Sequence, residues 1–289
     1  MPKSIIFILI ILSSSNLLAQ NETQSTLFWN NYTHFNPAMT GVQYKRTVNA
    51  QWRNQWTQVN GAPTTLWANY TERVEKFHGA VGVNYRYETI GFFNSHTALA
   101  TYAFHIPINK SMLSIGSSAG VIVLDTSTYA LSANKLYKPA FKGDFGITFR
   151  NEKWNLGLSI TSFNSPKLRN ENPTINFTYH PITHLTGEYT FAIDSTWKII
   201  PGVHFFTDQV KIASITSIRA QFKEVLWFGI NSWNLYSSNA VKSFGGMVGY
   251  DLKQKFRIGY SLEFYTFHSD AFFDDSNITH EIVLSYLLK

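Results

Sequence analysis

The most chemically loaded stretch of the chain is Gln51-Trp52-Arg53-Asn54-Gln55-Trp56. A guanidinium flanked by Trp52 and Trp56 can stack on an indole while its planar fork grips a carboxylate or a carbonyl. Gly61, Ala62, Pro63, Thr64 and Thr65 follow, with Gly61 and Pro63 suited to a turn that returns the chain into a strand. Upstream, Asn36-Pro37 restricts the backbone and Gly41 permits a bend. Two readings fit these residues: a structural plug or hairpin tip, and a docking surface.

Catalytic chemistry finds little footing. The 9 His are scattered, and no His-Glu-x-x-His spacing occurs. With 0 Cys, disulfides, thiol catalysis and Cys-based zinc sites are excluded together. Asp274, Asp275 and Asn277 form an acidic stretch, but calcium loops need more oxygen ligands at fixed offsets. No catalytic residue, metal ligand or cofactor is assigned on this basis. The formal charge of +6 is dispersed along the chain, unlike the basic face that binds nucleic acid.

The elements that must position these residues read as strands. Phe141, Phe145, Ile147 and Phe149 alternate with Lys142, Asp144, Gly146, Thr148 and Arg150, and Trp154, Leu156, Leu158 and Ile160 alternate with Asn155, Gly157, Ser159 and Thr161. Phe256, Ile258, Tyr260, Leu262 and Phe264 repeat the pattern. This two-residue period gives one strongly apolar face and one polar or tiny face. Strands are expected near 43–53, 63–73, 77–88, 95–107, 111–124, 141–150, 153–163 and 181–193, then 196–207, 210–222, 225–234, 240–251, 255–267 and 277–288. Most reach ten or more residues, the length a tilted membrane-crossing strand needs and about twice the soluble average. Pro201 interrupts the ninth, because proline removes a ladder hydrogen bond.

Connection lengths alternate. Short turns lie at 74–76, 108–110, 151–152, 194–195, 223–224 and 252–254, and longer ones at 125–140, 164–180 and 268–276. Outer-membrane barrels place short turns in the periplasm and long loops outside, which would leave both termini periplasmic. Trp154 and Trp197 directly follow short turns, where an interfacial aromatic girdle is expected. Inward-facing candidates are mixed in sign: Lys45, Gln51, Asn84, Arg86, Glu88 and Asp144, then Arg150, Glu188, Lys198, Arg257, Glu263 and Glu281. Such a lumen either holds water or is cross-linked by ion pairs, and balanced signs favour pairing.

The first residues carry an export signal: Lys3, the apolar run Ile5–Leu12, then small and polar residues to Ala19. That run is too short to span a bilayer as a helix. The expected organisation is a signal peptide at 1–19, an N-terminal periplasmic or plug segment at 20–42, and a barrel at 43–289. The expected fold class is all-β, a transmembrane antiparallel barrel of about fourteen strands.

Phe35-Asn36-Pro37-Ala38-Met39-Thr40-Gly41, followed by Arg53-Asn54-Gln55-Trp56 and Gly61-Ala62-Pro63-Thr64-Thr65, resembles the PorP/SprF family of type IX secretion system outer-membrane proteins from Bacteroidetes. The resemblance continues through Pro139-Ala140-Phe141 to His280–Tyr286. It departs at Met39, where the family often has Tyr, and at the C-terminal Leu287-Leu288-Lys289, where barrels commonly end in an aromatic residue. Tyr286 is the nearest substitute. The resemblance implies a non-enzymatic secretion partner or surface anchor for a large secreted protein such as an adhesin. Its implied partners are outer-membrane lipid, the secreted cargo, and periplasmic type IX or peptidoglycan-binding components. From the strand pattern alone, a porin-like channel for small solutes is the alternative.

Overall fold

A computed structural model describes residues 23–126, 137–169, 177–234, 242–266 and 277–288. The N-terminal export signal and the acidic pair Asp274 and Asp275 lie outside them. In chain order the strands are β1 (Arg46–Asn54), β2 (Thr64–Val74), β3 (Gly79–Ile90), β4 (Phe93–Ile108), β5 (Ser111–Thr126) and β6 (Ala140–Arg150). Then come β7 (Trp154–Thr161), β8 (Lys167–Leu168), β9 (Phe177–Thr178), β10 (Ile182–Tyr189), β11 (Phe191–Ala192) and β12 (Trp197–Thr207). The wall ends with β13 (Ile212–Phe222), β14 (Leu226–Trp233), β15 (Lys242–Leu252), β16 (Phe256–Thr266) and β17 (Asn277–Leu288).

Consecutive wall strands pair antiparallel, and the sheet closes where β1 meets β17, from Arg46 opposite Leu288 to Asn54 opposite His280. Setting aside the loop hairpin β8–β9 and counting β11 as the continuation of β10, the closed wall has fourteen strands. Closure matters because it leaves no strand edge with unpaired backbone groups.

Alternation on this wall is inverted relative to a water-soluble protein. On β6, Phe141 is 59% exposed and Phe145 41%, while Lys142 and Asp144 are each 2% exposed. Val48, Val83, Leu158, Leu185, Ile230 and Ile258 are likewise exposed on the outside. Gln51, Asn84, Arg86, Glu188, Arg257, Glu263 and Glu281 are buried within. Lys45 differs from expectation: it precedes β1 and is exposed.

One rim carries the short turns at 75–78, 109–110, 151–153, 193–196, 223–225 and 253–255. At the other rim the chain leaves and rejoins the wall between Asn54 and Thr64, Ile90 and Phe93, Thr126 and Ala140, Thr161 and Ile182, Thr207 and Ile212, Trp233 and Lys242, and Thr266 and Asn277. The two ends of the barrel are thus a short-turn rim and a long-loop rim. Pro201 proves compatible with the wall because the neighbouring strand breaks beside it. The β10–β12 ladder stops at Glu188 opposite Gly202 and resumes with β11, Phe191 opposite Ile199, so no partner is asked of the missing N–H.

Residues 23–45 do not hang below the barrel. They run through its interior as three single-turn 3-10 helices, Phe28–Asn30, Tyr32–His34 and Pro37–Met39, before β1 begins at the short-turn rim. Leu27, Phe28, Trp29, Tyr32, Phe35 and Met39 form the apolar core of the lumen with Ile182, Phe206, Ile215 and Trp227 of the wall. A second cluster fills the long-loop end of β5: Ile122 and Leu124 lie under Tyr137, Ala140 and Leu168. The first described residues lie near the long-loop rim, where Thr23 contacts Glu88 and Ser25 contacts Glu281. Leu288 lies at the opposite rim. Residues 23–27 and Leu288 thus lie at opposite rims, and the segment between 23 and 45 runs the length of the lumen before β1 begins.

Candidate functional site in the barrel lumen

Two anchors hold the internal segment, and each contains one of the sequence motifs. The first is a cradle for Asn36–Gly41 on the wall formed by β3 to β7. Asn36 caps its own turn, its Oδ1 accepting from the Ala38 amide at 3.0 Å, and its Nδ2 donates to the Ile147 carbonyl at 3.3 Å. Pro37 occupies the first turn position, where a missing N–H costs nothing. The facing wall is stripped of side chains. A Cβ on Gly116 would lie 2.5 Å from the Ala38 nitrogen, one on Gly157 2.8 Å from Asn36 Nδ2, and one on Gly146 would overlap Asn36 Oδ1. Gly41 turns the chain with φ at +67° against Ala80, and its carbonyl accepts from Arg73 Nη2 at 2.7 Å. Ser159 donates to the Phe35 carbonyl at 2.6 Å.

The second anchor surrounds Arg53, which is completely buried. Its Nη1 lies 2.8 Å from Glu281 and 2.9 Å from Glu263, and also donates to Thr26 Oγ1 at 2.8 Å. Nη2 donates to the Tyr265 hydroxyl at 2.7 Å. Glu281 in turn accepts the backbone amides of Thr26 at 3.1 Å and Leu27 at 3.0 Å, and side-chain bonds from Ser25 and Gln51. The indole beside the guanidinium belongs to Trp233, 5.4 Å away, rather than to Trp52 or Trp56. Trp52 points outward, as its parity on β1 requires. Buried ions persist only when paired and hydrogen-bonded, and here part of that pairing runs through the internal segment.

Between the anchors the segment is held by aromatic and amide contacts. Trp29 lies under the Arg219 guanidinium at 3.7 Å and edge-on to Trp227 at 4.8 Å. Tyr32 donates to Glu188 at 2.6 Å. Phe35 stacks on His204 at 4.3 Å, and Asn31 accepts from Asn69 at 2.7 Å.

The remaining motif residues shape the long-loop rim. Gln55 N donates to the Pro63 carbonyl at 3.0 Å, and Trp56, with φ +50°, donates from its backbone to Thr279 at 3.1 Å. The Gly61 carbonyl, in a residue with φ +75°, accepts from the Gly91 amide at 2.8 Å, and the Ala62 amide donates to Val59 at 3.1 Å. Thr64 donates to Asn54 at 3.3 Å, and Thr65 is fully buried on the inner face. The structure therefore does not gather Asn36, Pro37 and Gly41 with Arg53; it sets them at separate anchors of one segment. Sequence reasoning missed Thr26, Arg219, Trp233, Tyr265 and the glycine cradle. Opposed inward acids at 263 and 281 were the available hint that an inward cation must sit between them.

A closed antiparallel wall, apolar outside and polar inside, with its own N-terminal segment folded through the lumen, defines a β-barrel of outer-membrane type with an internal plug. The chain matches the model of the type IX secretion system membrane protein PorP/SprF over residues 17–286 and belongs to that family. It is a non-catalytic outer-membrane β-barrel protein associated with type IX secretion. No curated protein matches it in sequence. Among solved structures it is similar to the outer membrane protein Omp33 of Acinetobacter baumannii, with a TM-score of 0.51 at 12% identity, covering 86% of this chain and 100% of that one. The toluene transporter TbuX of Ralstonia pickettii gives 0.52 at 11% identity, covering 88% and 92%. The CymD monoaromatic hydrocarbon channel gives 0.50 at 11%, covering 94% and 95%. At such identities these likenesses establish the fold alone.

Proposed function

We propose that this protein is a plugged, non-conducting barrel that serves type IX secretion as a partner or surface anchor for a large secreted protein. The observation that carries the reading is the lumen filling: residues 24–42 occupy the interior and bond to strands on both sides of it. A conduit for solutes would leave that path to water. The outward apolar residues form the lipid-facing belt, since so much exposed apolar surface would drive association in water. Trp154, Tyr189 and Phe191 pack together on the outside at the short-turn rim, and Trp197 packs against Phe222 and Phe228, as an interfacial girdle would.

In this reading the short turns face the periplasm and the long loops face outward. The export signal is removed after Ala19, residues 20–42 form the plug, and the barrel follows. The 55–63 loop, fastened to β17 and to the 91–92 turn, belongs to a fixed outer platform on which cargo docks. Periplasmic type IX or peptidoglycan-binding components meet the other rim.

Purification from outer membranes in mild detergent tests the assignment. Recovery with type IX components or a large secreted protein is expected; recovery of the barrel alone would sink it. The second reading, a channel for small solutes, draws on the likeness to the toluene transporter TbuX and the CymD monoaromatic hydrocarbon channel. It predicts discrete conductance steps in planar bilayers from the intact protein, where the plugged reading predicts none.

A further inference from the structure

The short-turn rim is indented. A cavity of about 250 Å³ opens there, with Glu152, Lys153 and Gln254 of the turns at its mouth and Trp29, Arg219 and Trp227 at its floor. Its carboxylates and its cations are unequally engaged. Deep inside, Glu188 accepts from Tyr32, Asn155 and Arg219. Asp251 accepts both Nε and Nη2 of Arg257, at 2.8 and 2.6 Å, and the Trp227 indole N–H. Nearer the mouth, Glu224 pairs with Lys198 at 2.7 Å. Two further lining cations, Arg150 and Lys153, form no ion pair among the described residues, and the buried Arg219 keeps an Nη1 without a hydrogen-bond partner. Only Glu152, on an exposed turn, offsets them.

The cavity therefore has spare positive charge beside a polar lining, a combination that favours an anionic ligand able to take two N–H bonds at once. Its volume equals about eight waters at ~30 Å³ each, enough for one acidic side chain and its flanking backbone but not for a domain. Gln43, Asn151, Gln221 and Gln254 add amides around the opening, suited to the main chain of an extended segment. Short turns at this rim leave a flat approach for a protein surface.

We propose that this cavity receives a single Asp or Glu side chain from a partner polypeptide docked on the short-turn face. The chemistry is independent of membrane orientation; that the partner is periplasmic rests on the orientation adopted under Proposed function.

The test uses the full-length protein in detergent micelles and calorimetric titration with a capped Gly-Ser-Glu-Ser-Gly peptide, its Gln counterpart, and acetate. Saturable binding of the Glu peptide is expected, about tenfold tighter than either comparison, as one charge-assisted contact provides. The double substitution Arg150→Gln with Lys153→Gln should remove that preference while the barrel keeps its heat-modifiable gel migration. Equal binding of the Glu and Gln peptides, or no saturation at millimolar peptide, overturns the proposal. Acetate binding as tightly as the peptide also overturns it, by assigning the site to free small carboxylates. Failure to co-purify type IX components would count against the secretion reading and leave these titrations unaffected.

Discussion

Arg53 and Glu281 are register partners across the seam where β1 closes on β17, and their side chains meet at 2.8 Å inside the lumen. The same carboxylate takes the Thr26 and Leu27 amides, so one ion pair fastens both the closure of the barrel and the path of its plug.

Replacing Arg53 with Met should destabilise the protein by about 3–5 kcal/mol, because Glu263 and Glu281 would then be buried without their cation. Adding Glu263→Gln and Glu281→Gln to that variant should recover part of the loss, since no unpaired charge remains. Urea unfolding of the refolded protein in lipid vesicles measures both. A single substitution costing under ~1 kcal/mol would show that the cluster is solvated and weakly coupled.

The glycine cradle predicts a separable plug. Gly116→Val or Gly146→Val would collide with Ala38 or Asn36, an overpacking cost of about 1–3 kcal/mol that displacement of the segment relieves. The wall should still form, and the variants should conduct ions in planar bilayers where the parent is silent. Gly246→Ala is the control, since only the Gly229 carbonyl, at 3.9 Å, lies near its added Cβ. Variants that stay silent while folded would mean the plug accommodates the extra methyls.

The doubling back of the plug predicts an unusual topology. The chain has 0 Cys, so Thr23→Cys and Lys110→Cys are clean single reporters. In intact cells an impermeant maleimide should label position 23, near the long-loop rim, and should reach position 110, in a short turn, only after the outer membrane is permeabilised. Labelling in the reverse order would invert the barrel's orientation.

A turn carboxylate gives a pH dependence. Asp194 accepts from the Thr196 hydroxyl and amide and from the Trp197 amide, and these bonds hold its pKa below the ordinary carboxylate value. A depressed folded pKa stabilises the folded state above the unfolded value, about 3.9 for Asp, and that contribution fades as pH falls through the folded one. The stability gap between the parent and Asp194→Ala should therefore be larger at neutral pH than in acid below both values. Unfolding measured across that range would refute this if the gap widened on acidification.

Much of the wall was legible in the residues because strand sidedness is local: Phe141, Lys142, Phe145 and Asp144 declare their faces within one strand. Turn lengths were legible for the same reason. The break between β10 and β11 was not, although Pro201 marked the spot, since its consequence falls on a strand paired with it rather than on its own. The site was half visible. Arg53 stood out by its tryptophans, but its partners come from residues 26, 263, 265 and 281, brought to it by closure.

By itself the sequence determined that the chain folds as long alternating strands joined by unequal turns, and that its motifs resemble one secretion family. Tertiary structure alone decided what those motifs hold. An inward glycine such as Gly146 reads simply as a small residue until Asn36, 110 positions earlier, is placed against it. The Arg53 cluster is likewise an outcome of closure: its charges are tolerable only when β1, β16, β17 and the plug arrive together. Two-residue periodicity encodes a face, and only the closed barrel specifies what that face must touch.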